Sequence, residues 1–228
     1  MEKKAEHILS NVEEHLKYFR LLGIESLRRE TRSGSSDEKS ENLLSFPEIV
    51  EQILTCQKCH LSRTRKHAVP GEGNLRADLM FVGEAPGRDE DIQGRPFVGR
   101  AGQLLTKIIN AMSFQRDEVY ITNIVKCRPP ENRDPTGEEI GSCRDYLYAQ
   151  IELIKPKVIV SLGRISTRFF VTSNLGMTAL RGDFYDYGPV KVMPTFHPSY
   201  IIRNERNKKI KRMVWEDMQK VMALLGKK

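Results

Sequence analysis

The chain has 228 residues, 39% hydrophobic and 29% charged, enough for one compact α/β core. With no run of about 18 apolar residues and with acids throughout MEKKAEHILSNVEEHLKYFR, it fits no collagen-like, coiled-coil, membrane-spanning or secreted class, and an intracellular protein is expected. Lys and Arg number 37 against 30 Asp and Glu, a formal net charge of +7 that points to a polyanionic partner.

In chain order, Ile8, Leu9, Val12, Leu16, Phe19 and Leu22 recur at helical spacing and predict an amphipathic helix over about residues 5–24. The stretch 28–42 holds no apolar residue and reads as a flexible linker. Residues 1–45 therefore form an N-terminal extension, and 46–228 one domain that carries the positive balance, 29 basic against 21 acidic residues. Within this domain, helix-like segments at 46–55, 102–112, 136–154 and 166–172 alternate with short, apolar, β-branched runs at 78–83, 118–122, 157–162 and 190–195. That alternation predicts a mainly parallel sheet covered on both faces, an α/β sandwich. A last helix from about Asn204 to Leu225 presents Ile210, Val214, Met218, Val221 and Leu225 on one face. Residues 203–228 hold nine basic and three acidic side chains, either a solvated face or one that tracks phosphates.

The four cysteines, Cys56, Cys59, Cys127 and Cys143, form a C-x2-C pair and, after a gap of 67 residues, a C-x15-C pair. Without an export signal they are read as ligands of one metal centre rather than as disulfides. The second pair is too widely spaced for an ordinary zinc knuckle, so the spacing favours an iron–sulfur cluster while leaving zinc open. Three predicted strands end in polar groups. The first runs into Gly83-Glu84-Ala85-Pro86-Gly87 and onward through Glu90 and Phe97, the second ends at Asn123, and the last leads into His197. Parallel strands bring such ends to one edge, where these sheets place their ligand sites. The Gly-rich segment matches neither phosphate-loop pattern, which disfavours a nucleotide hydrolase.

Taken together, C-x2-C-H, GEAPG-x-x-E-D, GRPFVG-x-AG, TN-x-x-KCRPPENR, the later Cys143 and the HPS turn resemble the family 4 uracil-DNA glycosylases, the iron–sulfur branch of their superfamily, over about residues 50–225. The resemblance implies a three-layer α/β/α sandwich and a [4Fe–4S] cluster on Cys56, Cys59, Cys127 and Cys143. It also implies base excision repair by hydrolysis of the N-glycosidic bond of deoxyuridine in single- or double-stranded DNA, leaving an abasic site. Base flipping would deliver the nucleotide to a pocket of Glu84, Ala85, Pro86, Gly87, Glu90, Phe97, Asn123 and His197. There Phe97 would stack on the base, Asn123 read its edge, His197 stabilise charge on O2, and Glu84 position water or favour the cationic sugar. Glu90 falls where the family crowds the 5-methyl of thymine. Ile202 and Arg203 fall in the superfamily's DNA wedge loop. Better-known branches place an Asp or Asn after the position of Glu84, where this chain has Ala85. No histidine lies between Asn123 and Cys143, so turnover is expected rather than the covalent trapping of a related branch, and with no Schiff-base lysine a monofunctional enzyme is expected. The expected setting is a cytoplasmic, nucleoid-associated monomer, with residues 1–45 available to a repair or replication partner and no membrane contact. The alternative is a non-catalytic iron–sulfur DNA-binding accessory protein.

Overall fold

The fold is that of a computed structural model in which residues 45–227 are described. The amphipathic helix and the linker expected before Ser45 lie outside the described residues.

Six strands form one sheet in the order β1-β3-β2-β4-β6-β5. The central four, β2 (Leu79–Gly83), β3 (Tyr120–Asn123), β4 (Val158–Leu162) and β6 (Val190–Thr195), are mutually parallel. They match the four predicted runs and are buried on both faces because successive residues point to opposite sides. Met80, Val82, Tyr120, Ile159 and Val192 pack into one core with Ile49, Ile53, Leu147 and Ile151. Leu79, Phe81, Ile121, Val158, Val160 and Met193 pack into another with Leu105, Ile109, Met218 and Val221. The first layer is thus made by α1 (Phe46–Leu54) and α4 (Gly137–Ile154), the second by α3 (Arg100–Ala111) and α8 (Lys208–Leu224), and the expected α/β/α sandwich is what the chain forms. Each fully buried Val, Leu, Ile or Phe contributes about 1.5–3 kcal/mol by leaving water, so the strands carry much of the driving force.

Two edge strands were not foreseen. β1 (Glu72–Gly73) pairs antiparallel with β3, and β5 (Tyr185–Tyr187) antiparallel with β6. At two and three residues they are too short to show an alternation, and short edge strands leave little backbone exposed to foreign pairing. The C-terminal helix also differs. The helix expected from about Asn204 is present but starts at Lys208, where the Asn207 side chain accepts from the Lys209 and Ile210 N–H groups, and a separate short helix opened by Pro198, α7 (Pro198–Arg203), precedes it. Three further short helices, α2 (Arg88–Gln93), α5 (Arg164–Phe170) and α6 (Met177–Leu180), lie in the loops that follow β2 and β4. Among the described residues no helix is long and apolar enough to cross a membrane.

Candidate active site

The carboxyl ends of the parallel strands open into a cleft of about 650 Å³. Glu84 follows β2, Asn123 ends β3, and His197 follows β6, so the three predicted polar strand ends meet there. The Ala85-Pro86-Gly87 turn, Glu90 and Phe97 complete the lining expected from sequence.

Backbone pairing fixes the floor. Beyond the strands proper, the Ile124 N–H donates to the Gly83 carbonyl and the Val125 N–H to the Glu84 carbonyl, at 3.0 Å each, which holds the Glu84 and Asn123 segments side by side. The Asn123 side chain is 1% exposed, and its Oδ1 is a buried acceptor without a hydrogen-bond partner in the protein. An unpaired buried oxygen facing a cleft is the signature of a group kept for a ligand, since leaving it unpaired costs about 1–3 kcal/mol. Room for it comes from Gly83, where a Cβ would lie 2.3 Å from Asn123 Oδ1 and 2.6 Å from Phe97 Cζ.

Phe97 is buried and has a left-handed backbone, φ 51°. Two devices hold this uncommon conformation. Gly102, in the first turn of α3, lies so close beneath the Phe97 carbonyl that no side chain could stand there. Glu90 then laces the loop: its Oε1 accepts from the Val98 and Gly99 N–H groups at 2.9 Å each, and its Oε2 from the Gly87 N–H at 3.2 Å. Glu90 therefore lines the cleft as expected, with both carboxylate oxygens engaged in holding the turn that carries Phe97. The Phe97 and His197 rings face each other across the pocket, centroids 5.8 Å apart and tilted by 35°.

His197 is the N-cap of α7. Its Nδ1 accepts from the Ser199 N–H at 3.1 Å and lies 2.7 Å from Ser199 Oγ. An accepting Nδ1 requires the proton on Nε2. Burial, reinforced by the charge of Arg203, pushes the imidazole down to about 4, so the ring is neutral at physiological pH. Behind it, the Thr195 hydroxyl donates to the buried Asp217 carboxylate at 2.6 Å, and Arg181 pairs with the same group, anchoring the end of β6 to α8.

Glu84 is half-buried. Burial raises its carboxyl to about 7, helped by the negative charge of Asp134 and opposed by Arg164. Asp134 and Arg164 pair with each other at the cleft wall, which both line. Of the expected wedge residues, Arg203 lines the cleft, whereas Ile202 is half-buried and does not. Tyr200, one turn after His197 and 39% exposed, lines it instead. A shallower concavity shares Glu90, Ala101 and Asn132 with the cleft and adds Arg88, Arg100 and Arg128.

The four cysteines are all free thiols on neighbouring segments, Cys127 and Cys143 buried, Cys56 and Cys59 partly so. Cys127 is influenced by Cys59 and Cys56, and Cys143 by Cys127 and Cys56, so the four sulfurs share one locality. Donors point at them: Arg65 Nη1 lies 2.9 Å from Cys127 Sγ, and the Lys126 N–H donates to Cys143 Sγ at 3.2 Å. Burial pushes the Cys143 thiol up to about 11, so it is neutral unless a cation draws it into the thiolate form. Among the described residues no three His, Cys, Asp or Glu side chains close around a single metal ion. Four clustered thiols with cationic and amide donors aimed at sulfur suit a polynuclear cluster, whose thiolates need such donors.

The sequence profile described as the Uracil DNA glycosylase superfamily matches residues 70–219. The chain belongs to that superfamily. It is 49% identical over 181 residues to a Type-4 uracil-DNA glycosylase of Thermotoga maritima, covering 78% of this chain and 94% of the relative. A Type-4 enzyme of Saccharolobus solfataricus is 48% identical over 189 residues, 79% of this chain and 86% of that one. Another, of Archaeoglobus fulgidus, is 45% identical over 192 residues, 81% and 95% of the two chains.

Within this superfamily frame, several residues of the site escaped the sequence reading. Sequence places Gly83 at the strand end but not its close approach to Asn123 and Phe97, and Asp134 and Arg164 meet only because the loops after β3 and β4 adjoin. Ser199 had a signal: a serine two residues after a histidine, across a proline, is placed to cap the turn with its N–H.

Proposed function

We propose that the chain is a monofunctional uracil-DNA glycosylase that hydrolyses the N-glycosidic bond of deoxyuridine, releases uracil and leaves an abasic site. The observation that carries this is the unpartnered Asn123 Oδ1 in a cleft beside Phe97 and a neutral His197.

Deoxyuridine lies inside the base stack, so the nucleotide is flipped into the cleft at a cost of a few kcal/mol. Phe97 offers the stacking face, worth about 1–3 kcal/mol per base. Asn123 Oδ1 accepts from uracil N3–H while the amide donates to O4. Cytosine presents an acceptor and a donor at those positions and would leave four polar groups mismatched, which such sites reject strongly. As the glycosidic bond breaks, charge gathers on uracil O2, and the Nε2–H of His197 is free to donate to it. A neutral imidazole donor placed in advance costs no reorganisation at that moment. The sugar passes through an oxocarbenium-like state, and Glu84, ionised above about pH 7, faces it as a carboxylate that favours the cation and orients the attacking water. The residues lining the cleft include no lysine, so no amine is available for a Schiff base and the strand stays intact after base release.

Arg88, Arg100 and Arg128 beside the cleft supply phosphate contacts next to the flipped nucleotide, and exposed Lys208, Lys209, Lys211 and Arg212 on α8 extend the cationic surface. Arg203 and Tyr200 at the cleft rim, rather than Ile202, are the groups placed to meet the opened stack. Cys56, Cys59, Cys127 and Cys143 are the residues that would hold a [4Fe–4S] cluster. When bound, the cluster supplies a covalent brace between the segment before β1 and the unit running from β3 to α4. The protein acts alone, in the cytoplasm and on nucleoid DNA, and any repair or replication partner docks on residues 1–45.

Incubating the protein with single- and double-stranded oligonucleotides bearing one uracil, followed by alkali, tests the reading. Alkali-labile breaks at uracil are expected, with no break before alkali. Intact strands in every context would overturn it.

A further inference from the structure

Lys126 is the one buried lysine among the described residues, 1% exposed, and nothing in the proposed chemistry uses it. Its Nζ lies 2.7 Å from each of three oxygens: Thr122 Oγ1, Gln150 Oε1 and the Asn123 carbonyl. All three are acceptors by their own bonding. The Thr122 hydroxyl donates to the Pro70 carbonyl at 3.0 Å, and the Gln150 amide nitrogen donates to Pro70 and to the Tyr120 hydroxyl, leaving Oε1 to accept. Three converging acceptors match the three N–H donors of an ammonium group.

Packing does not call for this. A methionine or leucine would fill the same space without desolvating a charge, and apolar replacements of buried ionic groups are often neutral or stabilising. The position of the Asn123 carbonyl gives the reason for a lysine. β1 pairs only with Tyr120 and Ile121, so at Thr122 and Asn123 the β1 side of β3 has no neighbouring strand. Lys126 Nζ, rather than a strand N–H, donates to the Asn123 carbonyl and so holds the peptide that carries the base-reading carboxamide. Its own N–H donates to Cys143 Sγ, and Cys127 follows it in sequence, so one residue reaches both the cysteine site and the base site.

We propose that Lys126 is a positioning residue for base recognition, fixing the Asn123 peptide so that its carboxamide presents a single edge to the flipped base. This rests on the reading of Asn123 as the group that selects uracil.

The test uses the full-length protein with its iron content and visible absorbance measured in parallel. Lys126→Met keeps length and volume and removes all three donors. A carboxamide left about 1 Å adrift costs roughly a hundredfold in rate. Lys126→Met is therefore expected to keep iron and a cooperative melt, to lose between about tenfold and a hundredfold in kcat with KM changed by less than about threefold, and to lower the uracil-over-cytosine preference about tenfold. A merely structural lysine would leave that preference untouched. If the single variant fails to fold, Lys126→Gln, an uncharged side chain that keeps two amide donors but ends one bond shorter, takes its place, and the same preference decides. Wild-type kcat and preference in the folded variant would overturn the proposal. Asn123→Asp, run beside it, separates the two readings. If Asn123→Asp alters discrimination and Lys126→Met does not, the role of Lys126 falls alone. If neither does, the reading of Asn123 falls as well.

Discussion

Replacing Gly83 with alanine disturbs the site without removing any group that touches the base. A Cβ there would stand 2.3 Å from Asn123 Oδ1 and 2.6 and 2.9 Å from Phe97 Cζ and Cε2, against the roughly 3.5 Å of ordinary carbon contact. Asn123 and Phe97 are 1% and 6% exposed, and the Phe97 backbone already rests on Gly102, so neither can retreat freely. The backbone at Gly83 accepts an L-residue, so the whole effect is steric. Relief requires the carboxamide and the ring to move by about 1 Å, and overpacking of this kind costs about 1–3 kcal/mol of stability. For the reaction a 1 Å misplacement costs roughly a hundredfold. We expect Gly83→Ala to lose about a hundredfold in kcat/KM on an end-labelled uracil oligonucleotide scored by alkaline cleavage, with a melting temperature lower by several degrees. Gly141→Ala on α4, whose added methyl meets nothing within 4 Å, is the control and should keep full activity with equal or higher stability. Full activity in Gly83→Ala would refute the claim that Asn123 and Phe97 work at the positions described.

Glu84 gives a paired expectation in pH. In the proposed mechanism the ionised carboxylate is the working form, so kcat/KM should rise with pH to a plateau with a midpoint near 7, and Glu84→Gln should be flat and far slower. Because burial holds the folded carboxyl above its ordinary value, stability is full below about pH 4.5 and is lost as pH rises through 7. Glu84→Gln should therefore melt near wild type at pH 4.5 and above it at pH 8; the reverse order would contradict the assigned burial. Arg65 donates to Cys127 Sγ and to the Leu54 and Cys56 carbonyls, so Arg65→Met should surrender iron to a chelator at least several-fold faster than wild type, and an unchanged rate would remove Arg65 from the cysteine site. Arg100→Ala should weaken binding evenly across sequences and reduce the slope of log affinity against log salt by about one, and an unchanged slope would mean that Arg100 meets no phosphate.

The sequence made the sheet legible because the four parallel strands are largely buried and appear as short, mostly apolar runs, Leu79–Gly83 above all. The site was legible for a related reason. Polar groups that end such strands must share an edge, and Glu84, Asn123 and His197 do. What stayed hidden depends on contacts that no local pattern encodes. The pairing of β1 with β3 is set by two residues, and the start of the last helix at Lys208 by one asparagine cap. Glu90 was legible as a cleft residue, but its neighbours gave no hint that three backbone N–H groups, two of them eight and nine residues on, would occupy its oxygens. Ile202 and Arg203 fall in the wedge loop by their place in the chain, but that Arg203 and Tyr200 line the cleft while Ile202 does not depends on how α7 is turned. Lys126 looked like one more basic residue in a basic chain, and only its burial sets it apart.

The central claim is that the cleft at the strand ends admits uracil and rejects the other pyrimidines. One duplex bearing a single uracil, with thymines and cytosines elsewhere in the same strand, puts this to the test when treated with the protein, then alkali, and resolved on a sequencing gel. The account predicts one new band, at uracil, and its loss in Asn123→Ala. Breaks at cytosine or thymine, or a uracil band that survives the loss of Asn123, would contradict it.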